Sequence, residues 1–490
     1  MTCRNFWEHL MTNFKDKTLE KVLGFFKEIC KIPHGSGDME KIAGYCVDFA
    51  KSRGLRFVRD DANNVIIYKS GTTGYEKSEP VILQGHLDMV CQKTAESEKD
   101  FENDPIEIYL DGDFVKAMGT TLGADNGIAV AMVLSILDST DLAHPPIEAV
   151  FTTDEEIGMI GASKLDMSLL SSKKMINLDS EEEDVLTVSC AGGEDFTVTA
   201  SPDLKKTDGA AVTLVIEGLK GGHSGVEIDK GRVNSNILAG RILRELSLQT
   251  DFDIISVKGG DKGNAIPLRT EILVTTTDAD GFIASASKIA EGIRTEISAR
   301  EPDFNLSIAP LKEKCTTALS DSFKQRLIYA LCLTPNGICE MSREIEGLVE
   351  TSLNLGILSA DCKGLKMHYA LRSNKATALH NLADKLSLFA ENLGFSYETG
   401  GYYPPWEFKE DSPLQKLYCE AYRSVNGKDV KVEAIHAGLE CAVFADKIKG
   451  LDCIAIGPTL FDVHTVNERM QISSVEKIYN TVIKLLSELK

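Results

Sequence analysis

The most informative segment of the sequence is Val81-Ile82-Leu83-Gln84-Gly85-His86-Leu87-Asp88. Its first four residues form a short apolar run that predicts a buried β-strand. An imidazole and a carboxylate follow two residues apart, a spacing that places both side chains on one face of a strand. Because ligands bind at the carboxyl ends of strands in open α/β sheets, His86 and Asp88 are candidate functional residues.

Strands and helices alternate on both sides of this stretch. Strand-like runs cover residues 64–68, 147–152 and 174–178, and runs with helical periodicity cover residues 18–31, 38–51 and 128–137. This alternation predicts an α/β fold with a mainly parallel, mixed sheet and helices on both faces.

The pattern changes near residue 194. From there to about residue 400, strand-like runs alternate with amphipathic helices such as 234–248 and 284–300. We therefore expect an inserted α+β lid domain over 194–400, either undivided or built of two similar halves that meet near residue 310. The Gly/Pro-rich segment Gly400–Trp406 marks its end. The α/β pattern then resumes, which assigns 1–193 and 401–490 to one catalytic domain.

The charge balance narrows the classes of partner. The chain has 490 residues, with 53 Lys and Arg against 74 Asp and Glu, a formal net charge of −21. A polyanion of this kind is repelled by nucleic-acid phosphates and anionic lipids, so we expect neither nucleic acid nor membrane as a partner. No export signal or spanning segment is visible, and the 12 cysteines form no C-x-x-C motif. We expect buried free thiols and a cytoplasmic location.

Further acidic and His residues follow other predicted strands. Asp125 lies in a glycine-rich loop before the helix at 128–137, the triplet Asp154–Glu156 follows strand 147–152, Asp179 follows strand 174–178, and His464 follows a strand near 453–456. Two His and at least four carboxylates at one sheet edge must be paired or metallated, because unpaired buried anions are too costly. Mixed N and O ligands suit Zn²⁺, Co²⁺ or Mn²⁺.

These motifs occur in a characteristic order along nearly the whole chain. They are Gln84–Val90, Thr121–Gly127, Thr153–Gly158, Asn177–Ser180, His436–Glu440 and His464. The set resembles the M20 family of dinuclear zinc peptidases, which includes bacterial glutamate carboxypeptidases, peptidase T and the carnosinases. The resemblance implies a zinc-exopeptidase-like catalytic domain.

The resemblance also implies two divalent metal ions per chain, with Zn²⁺ as the first expectation and Co²⁺ or Mn²⁺ as alternatives. Asp125 would bridge the two ions. His86 and Asp179 would complete one site, and Glu156 and His464 would complete the other.

Six further residues take implied roles in catalysis or substrate binding. Asp88 would orient His86, and Glu155 would be the general base for the attacking water. In the inserted segment, His223 would donate to the oxyanion of the tetrahedral intermediate. Asn264 and Arg372 would hold the terminal carboxylate of the peptide, and Gly438 would also contact substrate.

The function implied by the resemblance is hydrolysis of Xaa-His and related dipeptides with a free C-terminal carboxylate. Two alternatives stay open. One is a related amidohydrolase that removes the acyl group of N-acyl amino acids, and the other is a metal-binding protein without turnover. We expect small dipeptides as substrates and a homodimer as the assembly. Whether His223 acts in its own chain or in a partner's site is open.

Overall fold

A computed structural model describes residues 17–312 and 314–490. The chain forms two compact units. The first contains the residues up to Cys190 together with Phe408–Ala434 and Leu439–Lys490, and the second contains Ala191–Glu407 and Ile435–Gly438. The second unit therefore takes four residues from the returning chain, which the sequence pattern over 401–490 does not indicate.

The described residues form eleven α-helices: α1 Lys17–Ile29, α2 Glu40–Ser52, α3 Ala124–Leu137, α4 Ile160–Lys164, α5 Ser235–Ser247, α6 Ala279–Ile297, α7 Asp321–Leu333, α8 Ala376–Asn392, α9 Pro413–Asn426, α10 Glu440–Lys447 and α11 Ile472–Glu488. They also form 25 strands: β1 Arg56–Arg59, β2 Val65–Lys69, β3 Val81–His86, β4 Ile108–Asp111, β5 Phe114–Ala117, β6 Ile147–Thr152, β7 Lys174–Asn177, β8 Val185–Cys190, β9 Gly192–Ala200, β10 Leu204–Lys206, β11 Ala210–Glu217, β12 Gly222–His223, β13 Asp253–Gly259, β14 Ala265–Ile266, β15 Thr270–Thr276, β16 Asn305–Leu311, β17 Thr317–Leu319, β18 Gly337–Met341, β19 Val349–Asp361, β20 Gly364–Ser373, β21 Ser396–Tyr403, β22 Lys431–Ile435, β23 Asp452–Ala455, β24 Leu460–Phe461 and β25 Arg469–Gln471.

The central sheet of the first unit has eight strands in the order β1-β2-β6-β3-β7-β23-β8-β22. Strands β6, β3, β7 and β23 run parallel, whereas β1, β2 and β8 pair antiparallel with their neighbours. The four parallel strands are buried along almost all of their length, as expected for strands covered on both faces. The predicted mixed α/β fold is confirmed, with parallel pairing confined to the centre of the sheet.

Helix α3 is apolar on every side. Each of its residues from Asn126 to Leu137 is buried, so this helix must be covered all round. It packs against α1 and β3. The N-terminal end of α3 thereby lies at the carboxyl end of β3, where the candidate site is found.

The second unit is built on an antiparallel sheet. Its path is β16-β11-β15-β13-β19-β20-β9-β21, and β18 pairs with β19. Strand β13 pairs with β19, so the segments before and after residue 310 share one continuous sheet and one apolar core.

Polar side chains at the helix starts explain where several of these helices begin. Asn234, Asp278, Ser320 and Ser412 each accept a hydrogen bond from a backbone N–H of the first turn. Across 17–312 and 314–490, no helix has the length and apolar character needed to cross a membrane.

Candidate metal centre and active site

Four parallel strands end side by side at the candidate site of the first unit. His86 is the last residue of β3, and Glu155 and Glu156 lie in the turn after β6. Asp179 comes two residues after β7, and His464 lies in the loop region after β23. Because β6, β3, β7 and β23 are adjacent and parallel, all of these residues follow the same edge of the sheet.

Asp125, at the start of α3, lies between the two histidines. Its Oδ1 is 3.3 Å from His86 Nε2, and its Oδ2 is 3.1 Å from His464 Nε2. Each histidine has a second carboxylate as well. His86 Nε2 is 3.4 Å from Asp179 Oδ1, and His464 Nε2 is 2.9 Å from Glu156 Oε1. Ligand-type atoms of His86, Asp125 and Glu156 all lie within 4.8 Å of one another.

The electrostatics of this cluster fit divalent cations. Among the described residues, the ion pairs of these carboxylates are with the two histidines. Hydrogen bonds with Asp125 and Glu156 raise the pKa of His464 to about 11. Burial opposes protonation of His86, yet the charge and hydrogen bonds of Asp179 and Asp125 raise its pKa well above the usual value. The carboxylates thus attract positive charge to both imidazoles, and the mixed N/O donor set suits Zn²⁺, Co²⁺ or Mn²⁺.

Asp88 acts through its backbone as well as its side chain. His86 Nδ1 donates to the Asp88 carbonyl oxygen at 3.0 Å, whereas the Asp88 carboxylate is 3.5 Å away. This bond leaves Nε2 of His86 as the atom facing the other ligand-type groups. The Asp88 carboxylate accepts from the backbone N–H groups of Glu155 at 3.0 Å and Glu156 at 3.3 Å, and from the Ser36 hydroxyl at 2.8 Å. Asp88 therefore positions both a candidate ligand and the candidate base.

Glu155 has the environment of a proton acceptor. Burial raises the pKa of its carboxyl well above the usual value, and the nearby charges of Asp179, Glu440 and Glu156 raise it further, although His86 opposes them. A carboxyl with raised proton affinity beside a candidate metal centre suits general acid–base chemistry near neutral pH.

The second unit holds the remaining predicted site residues. His223 Nδ1 accepts from the backbone N–H groups of Gly225 at 3.1 Å and Val226 at 3.2 Å, which leaves the proton on Nε2. Burial, followed by the charge of Arg372, lowers the pKa of His223, so the ring is a neutral donor. The backbone N–H of Ser224 donates to the Asn264 carbonyl at 2.9 Å, and this bond joins the two predicted substrate-contacting turns.

Arg372 lies in the same cluster. Its Nη1 donates to the Tyr403 hydroxyl at 2.8 Å, whereas its buried Nε has no hydrogen-bond partner among the described residues. A Cβ at Gly225 would lie 3.1 Å from Arg372 Nε, 3.0 Å from His223 Cε1 and 2.6 Å from the His436 carbonyl oxygen. Glycine is therefore required where these three residues meet.

Gly438 belongs to the same unit, in the segment Ile435–Gly438.

Comparison with known proteins decides the family. Residues 82–488 match the model of peptidase family M20/M25/M40. The chain belongs to this family. It is 35% identical over 483 residues to the cytosol non-specific dipeptidase of Escherichia coli K12, covering 98% of this chain and 99% of the relative.

Solved structures agree with this assignment. The crystal structure of aminoacylhistidine dipeptidase from Vibrio alginolyticus aligns with a TM-score of 0.88 and 35% identity, covering 98% of each chain. The aminopeptidase PepT of Bacillus cereus aligns with a TM-score of 0.55 and 15% identity over 96% of this chain and 98% of the other, a likeness of fold. The expectation of an M20 peptidase, and hence of a hydrolase that acts on peptide bonds, is confirmed.

Two further residues of this M20 chain hold the backbone around the candidate metal centre, and neither was predicted from the sequence. Glu468 is buried and accepts from four successive backbone N–H groups, Leu122 to Asp125, at 2.7–3.4 Å. Asn126 accepts from the His86 backbone N–H at 3.2 Å and donates to the Leu178 carbonyl at 3.0 Å. A single polar residue adds no periodic pattern to the sequence, whether it lies in a loop, as Glu468 does, or at the start of α3, as Asn126 does. Its contacts therefore become visible only in the fold.

The backbone of the site is also strained. Asp154, Asp462 and His464 have φ values of 51°, 52° and 63°, in the left-handed region that favours glycine. Such conformations cost roughly 1–3 kcal/mol each and cluster at functional sites. In this M20 peptidase they aim the residues of the two loops that flank the candidate metal centre.

Proposed function

We propose that this M20 peptidase is a dinuclear metal-dependent dipeptidase that hydrolyses Xaa-His and related dipeptides with a free C-terminal carboxylate. The observation that carries the proposal is the placement of Asp125, which offers one carboxylate oxygen to each histidine. The names of the two 35% identical relatives, a cytosol non-specific dipeptidase and an aminoacylhistidine dipeptidase, support the substrate class.

The five candidate ligands divide into two sets. His86, Asp125 and Asp179 would hold one ion, and Asp125, Glu156 and His464 would hold the other. Zn²⁺ is the proposed metal, since imidazole and carboxylate ligands in such sets suit it, with Co²⁺ and Mn²⁺ as alternatives. When bound, the ions supply Lewis-acid chemistry that activates water and polarises the scissile carbonyl.

Glu155 supplies the proton transfers. Its buried carboxylate takes the proton of the attacking water and then delivers it to the leaving amine. The raised pKa of Glu155 favours the first transfer, and its backbone bond to Asp88 holds the turn in place.

The second unit supplies binding groups. His223 donates Nε2–H to the oxyanion that develops on the scissile carbonyl. Arg372, whose Nε has no hydrogen-bond partner within 17–312 and 314–490, binds the terminal carboxylate together with Asn264, and Gly438 lets the substrate backbone approach. A cytoplasmic location and a homodimer remain proposals, the first supported by the cytosolic relative.

A substrate panel tests the function. Xaa-His dipeptides, Xaa-Leu dipeptides and N-acetyl amino acids are assayed for release of free amine. We expect turnover of the dipeptides with His at the second position, and weaker turnover of the others. Hydrolysis of N-acetyl amino acids alone would instead favour the deacylase alternative, and no turnover of any substrate would favour a metal-binding protein.

A further inference from the structure

In the first unit, a layer of buried polar side chains lies on the strands that carry the candidate ligands, a few residues before those ligands in the sequence. Gln84, Thr152 and Asn177 are each fully buried and belong to the adjacent parallel strands β3, β6 and β7. Gln84 comes two residues before His86, and Asn177 comes two residues before Asp179. Any shift of this layer is therefore carried directly to the ligand positions.

The side chains of this layer are hydrogen-bonded to one another and to the carboxyl group of Glu440. Gln84 Oε1 accepts from Asn177 Nδ2 at 2.5 Å, and Gln84 Nε2 donates to Thr152 Oγ1 at 3.1 Å. One oxygen of Glu440, Oε2, accepts two hydrogen bonds. The donors are Gln84 Nε2 and the hydroxyl of Thr152, which lies 2.6 Å away. Glu440 therefore ties β3 to β6 directly and reaches β7 through Gln84.

Glu440 makes this contact from a buried position at the start of a helix. It is fully buried and is the first residue of α10. Most buried polar groups are hydrogen-bonded, because an unmade bond costs the full desolvation of the group. In Glu440 the bonded atom is Oε2, whereas Oε1 is buried and has no hydrogen-bond partner among the described residues. Removing the accepting oxygen would leave the amide of Gln84 with Thr152 Oγ1 as its acceptor at 3.1 Å, and the hydroxyl of Thr152 with only the distant Gly85 carbonyl at 3.5 Å.

We infer that Glu440 is a positioning residue for the metal centre: its Oε2 sets the spacing of the strand ends that carry His86, Glu156 and Asp179. The inference rests on the proposed function, since it concerns the ligand set proposed there. Groups that orient metal ligands in this way typically contribute 10- to 100-fold to metal affinity or activity.

The test compares Glu440→Leu with Glu440→Gln. Metal-free protein is titrated with Zn²⁺ against a competing chelator, and with Co²⁺ while the visible absorption bands are recorded. We expect Glu440→Leu to lose about 10- to 100-fold in Zn²⁺ affinity and to shift the Co²⁺ bands. Glu440→Gln keeps an accepting oxygen and should stay near wild type. Equal losses in the two variants would contradict a role through that oxygen.

Glu148 provides a matched control. It lies on β6, the strand that carries Thr152, and is buried at 5% exposure, but it accepts hydrogen bonds from Ser171 and Ser172 at the far end of that strand. Glu148→Leu should lower thermal stability and leave Zn²⁺ affinity and the Co²⁺ bands unchanged. If it weakens Zn²⁺ binding as much as Glu440→Leu does, the effect is general destabilisation and the inference is wrong.

If Glu440→Leu does not fold, a second variant still tests the inference. Thr152→Val removes one of the two donors to Glu440 at nearly constant volume, and we expect a smaller loss of Zn²⁺ affinity in the same direction. Wild-type Zn²⁺ affinity in Thr152→Val, or in a folded Glu440→Leu, would overturn the inference. Failure of the wild-type chain to bind Zn²⁺ would instead refute the proposed function.

Discussion

Asp125 Oδ2 lies 3.1 Å from His464 Nε2, although the two residues are 339 positions apart in the chain. The contact joins the N-terminal end of α3 to the loop that follows the last parallel strand of the sheet. The other oxygen of Asp125 faces His86 at 3.3 Å. One carboxylate thus connects both halves of the candidate metal centre.

His464 should be needed for metal binding. We expect His464→Ala to lower the number of bound metal ions and the turnover together, because the variant removes one of the two nitrogen donors. Elemental analysis beside a dipeptide assay measures both. A His464→Ala protein with two fully occupied metal sites would refute the ligand assignment. His380, an exposed histidine on α8 in the second unit, offers a control, and His380→Ala should bind metal as the wild type does.

Glu155 should be needed for turnover but not for metal binding. Glu155→Gln retains the side-chain shape and removes the proton acceptor, so turnover should fall by roughly 10²- to 10⁴-fold with metal content unchanged. The neighbouring residue, Glu156, is a proposed metal ligand, so Glu156→Gln should lose bound metal as well as turnover. Substantial activity in Glu155→Gln would remove Glu155 from the role of base.

Arg372 should discriminate between substrates by their terminal carboxylate. Hydrogen bonds between charged groups contribute about 1.5–3 kcal/mol, so Arg372→Ala should raise the KM of free dipeptides by roughly 10- to 100-fold. The same dipeptides with a C-terminal amide should respond much less. An equal response of the two substrate series would show that Arg372 does not bind the carboxylate.

His436 should make stability depend on pH. Its Nε2 accepts from the Ser352 hydroxyl at 2.7 Å, and its Nδ1 lies 3.2 Å from Asn374 Oδ1. Burial, and then the charges of Arg372 and His223, lower the pKa of His436 to about 3. When the pH falls below about 6.5, the usual pKa of histidine, His436 becomes protonated in the unfolded chain but stays neutral in the folded chain. The free energy of unfolding should therefore fall as the pH drops from about 6.5 towards 3, by up to about 1.4 kcal/mol per pH unit.

Denaturant unfolding at pH 7 and pH 5 checks this dependence. The wild type and His436→Gln are compared in the presence of chelator, so that bound metal does not contribute to either. The variant has no titrating ring at this position and should lose less stability between the two pH values. Equal losses would place the pKa of His436 near its usual value.

The elements that carry the site were predictable because their patterns are local. The apolar runs at 81–84, 147–152 and 174–178 coincide with β3, β6 and β7, and parallel strands bring their carboxyl ends to one edge. Gly400–Trp406 directly precedes the end of the second unit's main segment at Glu407, but most of it is not a linker. Residues 396–403 form β21, the last strand of the second unit's sheet, and glycines do not distinguish such an edge strand from a boundary.

Other features depend on contacts that no local pattern encodes. Glu468 and Ser36 are single polar residues in loops, and their bonds to the backbone before α3 and to Asp88 exist only in the folded chain. The family resemblance implies that Asp88 orients His86. In the structure the carbonyl makes the shorter contact, because the carboxylate is committed to the backbone of Glu155 and Glu156.

The number of metal ions in the active protein tests the central claim most directly. Metal-free chain is titrated with Zn²⁺ while bound metal and dipeptide turnover are followed together, for the wild type and for Asp125→Ala. We expect two ions per wild-type chain, turnover that returns as they bind, and loss of tight binding at both sites in Asp125→Ala. Full turnover with one ion or none, or two tightly bound ions in Asp125→Ala, would contradict the claim.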